Sequence, residues 1–183
     1  MSVVKTVQPI RDVDKIAAMK EVLMQQHYRN YFLFVLGINT GLRISDLLAL
    51  RVGDVKGKSH IVITEQKTGK LKRFRINNEL QEHISKFTID KDKAAYLFQS
   101  RRGTDRIHRV QAWKILNAAA REVGLEEIGT HTLRKTFGYH FYQQYKDVAV
   151  LQQIFNHSSP AVTMRYIGIT QDIIDEKVDG FSL

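Results

Sequence analysis

Charged and nucleophilic side chains recur in three short segments of the sequence. Arg43 lies in TGLRISDLLALR, in the turn after an apolar segment. His131 and Arg134 are three residues apart in HTLRKTFGYH, so they share one face of a helix start. His157 and Tyr166 flank a Ser-Ser-Pro helix start in NHSSPAVTMRYIG. One arginine can bind two phosphate oxygens at once, histidine accepts and donates protons near neutral pH, and deprotonated tyrosine is a nucleophile. These residue types therefore suit phosphoryl transfer.

Taken singly, each of these residues has an ordinary structural explanation. Tyr166 would be a half-buried aromatic residue at a helix end, and His157 would be a capping or surface histidine. Arg43 would form an exposed ion pair with Asp46, which contributes little to stability. A shared chemical role is favoured only by the joint occurrence of the three segments in one chain of 183 residues.

Positive charge is concentrated in two other segments. The chain carries a formal net charge of +9, and residues 51–75 and 101–121 each hold a large excess of lysine and arginine over acidic residues. Such stretches are typical of proteins that bind a polyanion, because lysine and arginine displace counterions from a phosphate backbone. A merely basic surface is the alternative. The candidate DNA-binding residues are Lys70, Lys72, Arg73, Arg101, Arg102, Arg106 and Arg109.

Composition and length exclude several other classes of protein. The chain has no cysteine, which removes disulfides, thiolate metal sites and cysteine nucleophiles, and which is compatible with a cytoplasmic location. The longest apolar run, residues 31–38, is far shorter than the roughly 20 residues of a membrane span, so we predict no membrane association. The histidines show no metal-ligand spacing, and we predict neither a metal nor a cofactor.

The periodicity of apolar residues predicts the elements that position these side chains. Residues 60–64 are rich in β-branched side chains, and residues 71–76 alternate basic with apolar side chains, which predicts a basic β-hairpin around a Lys-Thr-Gly-Lys turn. Ser45 and Thr130 are predicted to cap helices, the first of them short. Further helices are expected at 12–26, 28–39, 78–87, 108–123, 133–145, 147–155 and 159–166, with a short strand at 96–99 and a weakly amphipathic tail at 169–178.

The order and spacing of these segments resemble the catalytic domain of the tyrosine recombinase (phage integrase) family, over about residues 12–168. The resemblance implies an α+β, mainly α-helical fold with a small antiparallel sheet, and one catalytic domain over residues 1–183. It also implies a catalytic set of six residues: Arg43, Lys67, His131, Arg134, His157 and Tyr166. Lys70 and Lys72 are nearby, and Lys67 is chosen as the hairpin lysine because the EQKTGK run resembles the turn of the family.

The chemistry of phosphodiester transfer gives the two arginines and one histidine a common task. Negative charge grows on the nonbridging oxygens in the transition state, and guanidinium groups stay charged at any physiological pH. Arg43 and Arg134 would therefore hold those oxygens. His157 would add a further hydrogen bond to the same phosphoryl group.

The remaining three residues would move protons and attack phosphorus. Tyr166 has an ordinary pKa of about 10, so it needs neighbouring cations to react as a phenolate. His131 would help to move the phenol proton, and Lys67 would protonate the leaving 5′ oxygen. The product would be a 3′-phosphotyrosine that stores the bond energy, so the reaction would need no ATP and no metal.

The resemblance implies a site-specific recombinase, of the integrase or invertase type, acting on double-stranded DNA. It would work as a homotetramer on paired sites, with accessory DNA-bending proteins as further partners, and residues 169–183 would pass to a neighbouring copy unless they form a frayed terminus. We expect no separate core-binding domain of the kind usual in the family within these residues, as in a natural single-domain member or a fragment of a longer integrase. The alternatives are DNA relaxation of the type IB topoisomerase kind and a non-catalytic DNA-binding regulator.

Overall fold

A computed structural model of the chain describes residues 7–126 and 128–182. Its two strands form one antiparallel sheet, and the other regular elements of this part of the chain are helices, as the sequence predicts. In chain order the elements are α1 (Val13–Gln26), α2 (Tyr28–Thr40), α3 (Ile44–Ala49), α4 (Val52–Val55), β1 (His60–Thr64), β2 (Leu71–Arg75), α5 (Asn78–Phe87), α6 (Arg109–Glu122), α7 (Thr132–Tyr145), α8 (Val148–Phe155), α9 (Pro160–Tyr166) and α10 (Ile169–Asp179).

Helix α2 lies at the centre of the larger apolar core. Its side chains are apolar nearly all round, and such a helix lowers its free energy by packing on several sides. It packs against α1, α5 and α7. The contact with α7 is close at Gly37, where an added Cβ would lie 2.5 Å from Leu133. This packing fixes the carboxyl end of α2 against the amino end of α7.

Side-chain caps begin four of the predicted helices. The side chains of Asp12, Asn77, Asp147 and Ser159 accept backbone N–H groups at the starts of α1, α5, α8 and α9. A side-chain oxygen at this position satisfies one of the unpaired donors at a helix start. The predicted starts of these helices are therefore confirmed.

The hairpin pairs β1 with β2 in a single register. Ile61 lies opposite Phe74, and both are buried, whereas Val62 lies opposite Arg73 on the exposed face. The turn between the strands includes residues 66–68 and ends at Gly69, whose φ of +66° lies in the left-handed region that glycine adopts without strain. The hairpin thus carries Lys67 at its tip.

A smaller apolar cluster lies beneath the carboxyl-terminal helices. Its buried members come from α8, from the residue that follows α9 and from α10: Leu151, Phe155, Ile167 and Ile169. The aromatic residues Phe137, Phe141 and Tyr142 of α7 pack against it, whereas Tyr145 is exposed. The cluster holds α9, and with it Tyr166, against α7.

Three sequence predictions are wrong in detail. Residues 96–99 form no strand, because Tyr96 and Gln99 make only isolated bridges to Arg51 and Arg106 while Leu97 and Phe98 fill the core. Ser45 lies inside α3, whose N-cap is Arg43 in an extended conformation. Helix α7 is preceded by His131 rather than capped by Thr130.

The tail predicted at 169–178 is the helix α10. Its first residue, Ile169, is buried, and Arg11 forms an ion pair with Asp172 at 2.8 Å. None of the helices in the described ranges combines the length and the apolar character that crossing a membrane requires.

Gly138 tests the packing that holds α9. A Cβ at this position would lie 2.6 Å from Ile167 and 2.7 Å from Phe155. Overpacking costs about 1–3 kcal/mol, which exceeds the helix-propensity gain of about 1 kcal/mol, so we expect Gly138→Ala to lose about 1–2 kcal/mol in urea unfolding. Gly103→Ala, with nothing within 4 Å, is the matched control and should unfold like the wild type. Equal stability of both variants would contradict this packing.

Candidate active site

Arg134 is the most deeply buried cation of the predicted catalytic set. It is 3% exposed and lies on the first turn of α7. Its guanidinium donates hydrogen bonds to the carbonyl oxygens of Gly41, at 2.6 Å, and Phe155, at 3.0 Å, and lies over the Phe155 ring. Burial lowers the pKa of Arg134, but a guanidinium is such a weak acid that the group keeps its charge at neutral pH. Arg134 therefore joins the ends of α2 and α8 to α7.

Arg43 approaches the same place from the turn between α2 and α3. Gly41 in this turn has a φ of +63° and packs against Phe137, so a side chain would not fit there. The Arg43 side chain is partly buried and forms an ion pair of 2.5 Å with Glu65. The sequence-based pairing of Arg43 with Asp46 is wrong, because Asp46 accepts the backbone N–H of Gln66 instead.

Tyr166 ends α9 beside these arginines. Its ring centroid lies 5.1 Å from that of His157, 5.6 Å from that of Phe155 and 6.5 Å from that of His131. Burial raises the pKa of the Tyr166 phenol, while the nearby charges of Arg134 and Arg43, together with a hydrogen bond from Arg134, act in the opposite direction. The phenol is therefore protonated at neutral pH and faces the cations.

His157 is held in the turn between α8 and α9. Its Nδ1 lies 3.0 Å from Oγ1 of Thr163, a buried residue. Burial, followed by the charges of Arg134 and Arg43, lowers the pKa of His157 to about 4. The imidazole is therefore neutral at pH 7, and Nε2 is the ring nitrogen left for a ligand.

His131 precedes α7 and is exposed. Partial desolvation of the ring lowers its pKa, and so do the charges of Lys135, Arg134, Lys67 and Arg43, in that order. The Lys135 ammonium also lies 5.1 Å from the centroid of the Tyr166 ring. A neutral His131 is a proton acceptor beside a protonated phenol.

The hairpin brings Lys67 to the edge of this cluster. Lys67 is exposed, and its charge acts on the pKa of His131. Lys70 donates to Oδ1 of Asn156 at 3.0 Å. Lys72 donates to the carbonyl oxygens of Gln153 and Ile154 at the end of α8, at 2.7 Å and 3.1 Å. Two of the predicted DNA-binding lysines thus contact the protein itself, and their role towards DNA stays a prediction.

The other predicted DNA-binding residues lie farther along the surface. Arg73 contacts Nδ1 of His60, and Arg106 lies near the Tyr96 ring. Arg109 is the exposed first residue of α6. Arg101 and Arg102 line an open cavity of about 620 Å³ with Ser100, His108, Val110, Gln111 and Lys114. A cavity lined by several cationic side chains suits a nucleic-acid backbone.

The structure brings the six predicted catalytic residues within electrostatic range of one another. The charge of Arg43 acts on His131, Arg134, His157 and Tyr166, and that of Lys67 acts on His131. Sequence reasoning missed Glu65 and Thr163, which contact Arg43 and His157. Nothing in the local sequence marks Glu65, since an acidic residue at the start of a hairpin turn is ordinarily exposed. The arrangement presents two guanidinium groups, two neutral imidazoles and a phenol to one ligand.

Comparisons of the sequence with known proteins agree with this arrangement. Residues 11–172 match the phage integrase family. A probable integrase/recombinase of Bacillus subtilis (strain 168), YoeC, is 55% identical over 91% of this chain and 92% of its own length. Tyrosine recombinase XerD of Corynebacterium glutamicum is 31% identical over 75% of this chain, but only 47% of its own length is covered. The chain thus spans about half of that longer relative.

Solved structures share the fold. The crystal structure of XerA recombinase superposes with a TM-score of 0.73 at 21% identity, covering 91% of this chain and 61% of the other. XerH site-specific recombinase bound to its difH substrate gives 0.71 at 20% identity, covering 90% and 52%. The catalytic domain of bacteriophage HP1 integrase gives 0.63 at 21% identity, covering 87% and 86%.

These matches confirm the predicted fold class, that of a tyrosine recombinase catalytic domain with a small antiparallel sheet. They also confirm the predicted recombinase function and enzyme class, since the relatives are named integrases and tyrosine recombinases. The chain belongs to the phage integrase family.

Proposed function

We propose that this chain cleaves and rejoins strands of double-stranded DNA at specific sites through a covalent bond between Tyr166 and a 3′ phosphate. The observation that carries the proposal is the placement of the Tyr166 phenol against Arg134 and Arg43, with the rings of His131 and His157 beside it. Residues held only by packing would not need two arginines aimed at one tyrosine. The named functions of the relatives support the same chemistry.

Bond making and breaking follow from the positions of these groups. The phenol oxygen of Tyr166 forms a bond to phosphorus, and the bond from phosphorus to the 5′ oxygen breaks. Arg43, Arg134 and the Nε2 of His157 bind the nonbridging oxygens, where negative charge develops. Because both guanidinium groups are anchored before DNA arrives, little reorganisation is needed in the transition state.

Proton movements use the residues at the edge of the cluster. Neutral His131 accepts the phenol proton of Tyr166, and Lys67 donates a proton to the departing 5′ oxygen. Rejoining is the reverse sequence: a 5′ hydroxyl attacks the phosphotyrosine and the phenol leaves with its proton restored. The 3′-phosphotyrosine conserves the phosphodiester bond energy.

Duplex DNA is held by two basic surfaces. The hairpin supplies Lys70, Lys72 and Arg73, of which Lys70 and Lys72 would exchange their protein acceptors for phosphate oxygens. The second surface holds Arg101 and Arg102, which line the cavity, together with Arg106 and Arg109 in the adjoining loop and at the start of α6. Phosphate contacts of this kind position the protein on the duplex, and they weaken with salt.

Strand exchange needs two paired sites and a homotetramer, with accessory DNA-bending proteins as further partners. Helix α10 offers a contact between copies. Its first turn is anchored by Ile169 and by the ion pair of Arg11 with Asp172. Beyond that turn the apolar side chains Ile173, Ile174 and Val178 are exposed, and so is Phe181 just after the helix. A helix with an uncovered apolar side gains stability by docking in a groove of a neighbouring copy.

Tyr166→Phe tests the proposed nucleophile. A pool of nicked duplexes of random sequence is incubated with protein, and covalent adducts are separated on denaturing gels, because the nick lets the cleaved fragment escape and traps the adduct. We expect adducts with the wild type and none with Tyr166→Phe, since only the attacking hydroxyl is removed. Tyr145→Phe makes the same change at an exposed position on α7 and should leave adduct formation unchanged.

Other outcomes of this experiment decide between the alternatives. An adduct that survives Tyr166→Phe would identify another nucleophile. Binding without any wild-type adduct would indicate a DNA-binding regulator. Relaxation of supercoiled DNA that holds no second site would indicate a topoisomerase.

The charge environment of His157 makes a prediction about pH. In the free protein the His157 ring should titrate at about pH 4 in NMR spectra, so it stays neutral from pH 8 down to 5. Arg43→Ala removes one of the cations that lower this pKa, so the midpoint should move upwards, towards the ordinary value of 6.5. Lys114→Ala removes an exposed cation on α6 that has no part in the shift. A titration midpoint that is unchanged in Arg43→Ala would show that the Arg43 guanidinium does not lie near His157.

The apolar side of α10 makes a prediction about assembly. A double variant, Ile174→Ser with Val178→Ser, should form paired-site complexes at least ~10-fold less well in gel-shift titrations, because two exposed apolar contacts are lost. Binding to a single site should not change. Val13→Ser, which alters an exposed valine on α1, is the control. Unchanged assembly by the double variant would show that α10 is only an appended helix.

A further inference from the structure

Glu65 is a buried carboxylate in a site built from cations. It follows β1 directly and is 1% exposed, although its neighbours Thr64 and Gln66 are exposed. A carboxylate leaves water only when partners replace its hydration. Its presence beside Arg43 works against phosphate binding on charge alone, so the contacts of Glu65 must account for it.

The two carboxylate oxygens of Glu65 have separate partners. Oε1 accepts a hydrogen bond from Nη1 of Arg43 at 2.5 Å, and Oε2 accepts one from Oγ1 of Thr68 at 2.6 Å. Its backbone closes the same turn, with its N–H donating to Lys70 and its carbonyl accepting from Gly69. Glu65 therefore connects Arg43 to the turn that carries Lys67.

Glu65 is charged in this position. Burial raises its pKa, but the hydrogen bond from Thr68 and the charge and hydrogen bond of Arg43 outweigh burial, and the pKa lies below its ordinary value. Charge-assisted hydrogen bonds between guanidinium and carboxylate are shorter and stronger than neutral ones. The pair therefore persists at neutral pH.

The contact selects one end of the Arg43 guanidinium. Within the described ranges, Glu65 is the only side chain that pairs with Arg43. A guanidinium has five N–H donors in a planar fork, so fixing Nη1 leaves Nε and Nη2 for the nonbridging oxygens. Arg134 is fixed by two carbonyl oxygens instead. The two arginines of the site thus have different anchors.

We propose that Glu65 is a positioning residue, which orients the guanidinium of Arg43 towards the scissile phosphate and keeps Arg43 in register with the Lys67 turn. This inference rests on the proposed function. Glu65 touches neither the phosphate nor the nucleophile, and it acts through Arg43. If Glu65 instead competed with the phosphate for Arg43, its removal would speed cleavage.

If Glu65 orients Arg43, removing Glu65 should slow cleavage without weakening DNA binding. With a nicked duplex selected from the random pool, and with protein in excess, Glu65→Ala should slow adduct formation by about 10²-fold, the effect of a small misplacement of a reacting group. The dissociation constant should stay equal or fall, because a negative charge leaves the site. Glu65→Gln keeps an acceptor for Arg43 and should recover part of the rate.

Matched variants separate positioning from folding. Glu82→Gln makes the same change at an exposed position on α5 and should cleave like the wild type. Thr68→Val removes only the second hydrogen bond and should slow cleavage less than Glu65→Ala does. Because Thr68 is exposed, we expect Thr68→Val to stay folded. It therefore tests the positioning role even if both Glu65 variants unfold in thermal melts.

A neutral substrate tests whether the effect passes through Arg43. A methylphosphonate at the scissile position replaces one nonbridging oxygen by a methyl group, so an oriented guanidinium has less charge to bind. We expect the Glu65→Gln defect to shrink at least ~5-fold on this substrate. An undiminished defect, wild-type rates for Glu65→Gln and Thr68→Val, or faster cleavage would each overturn the inference. Absence of any wild-type adduct would instead refute the proposed function.

Discussion

The buried guanidinium of Arg134 is the interaction on which the site depends. Its two hydrogen bonds end on carbonyl oxygens at the end of α2 and the end of α8, segments far apart in sequence. A buried carbonyl oxygen without a hydrogen-bond donor raises the free energy of the folded state. The contacts of Arg134 therefore favour the packing of α7 against the ends of α2 and α8. Arg43 follows the first of these carbonyls by two residues, and His157 follows the second by two. The position of Arg134 therefore sets the positions of its proposed partners.

The site must attract a phosphate without repelling its own cations. Arg134 is held by neutral carbonyls, whereas Arg43 is held by the carboxylate of Glu65, which removes one unit of charge where the two guanidinium groups converge. The histidines add no further charge, because desolvation of their rings and the neighbouring cations lower the pKa of His131 and His157. The cluster is consequently positive enough to bind a phosphate and still stable before DNA arrives.

Helices and hairpin were predictable because their causes are local. Periodicity and side-chain caps such as Asp147 and Ser159 lie within a few residues of the elements they define. Residues 96–99 have a strand-like composition, but their partners at Arg51 and Arg106 come from tertiary packing. The six catalytic candidates followed from motif order, whereas the Glu65 contact with Arg43 spans 22 residues. No local pattern shows which of two nearby carboxylates, Asp46 or Glu65, meets a given arginine.

The resting state of the site explains how reaction would await DNA. Burial raises the pKa of Tyr166, so the phenol keeps its proton in the free protein. A phosphate placed between Arg43 and Arg134 would be held by both guanidinium groups, and His131 is already neutral and able to take the proton. Arg134 and Arg43, which would bind the phosphate, add to the effect of desolvation and of Lys135 in keeping this base uncharged. Phosphate recognition and proton acceptance are therefore coupled through these arginines, and a change in either arginine alters both.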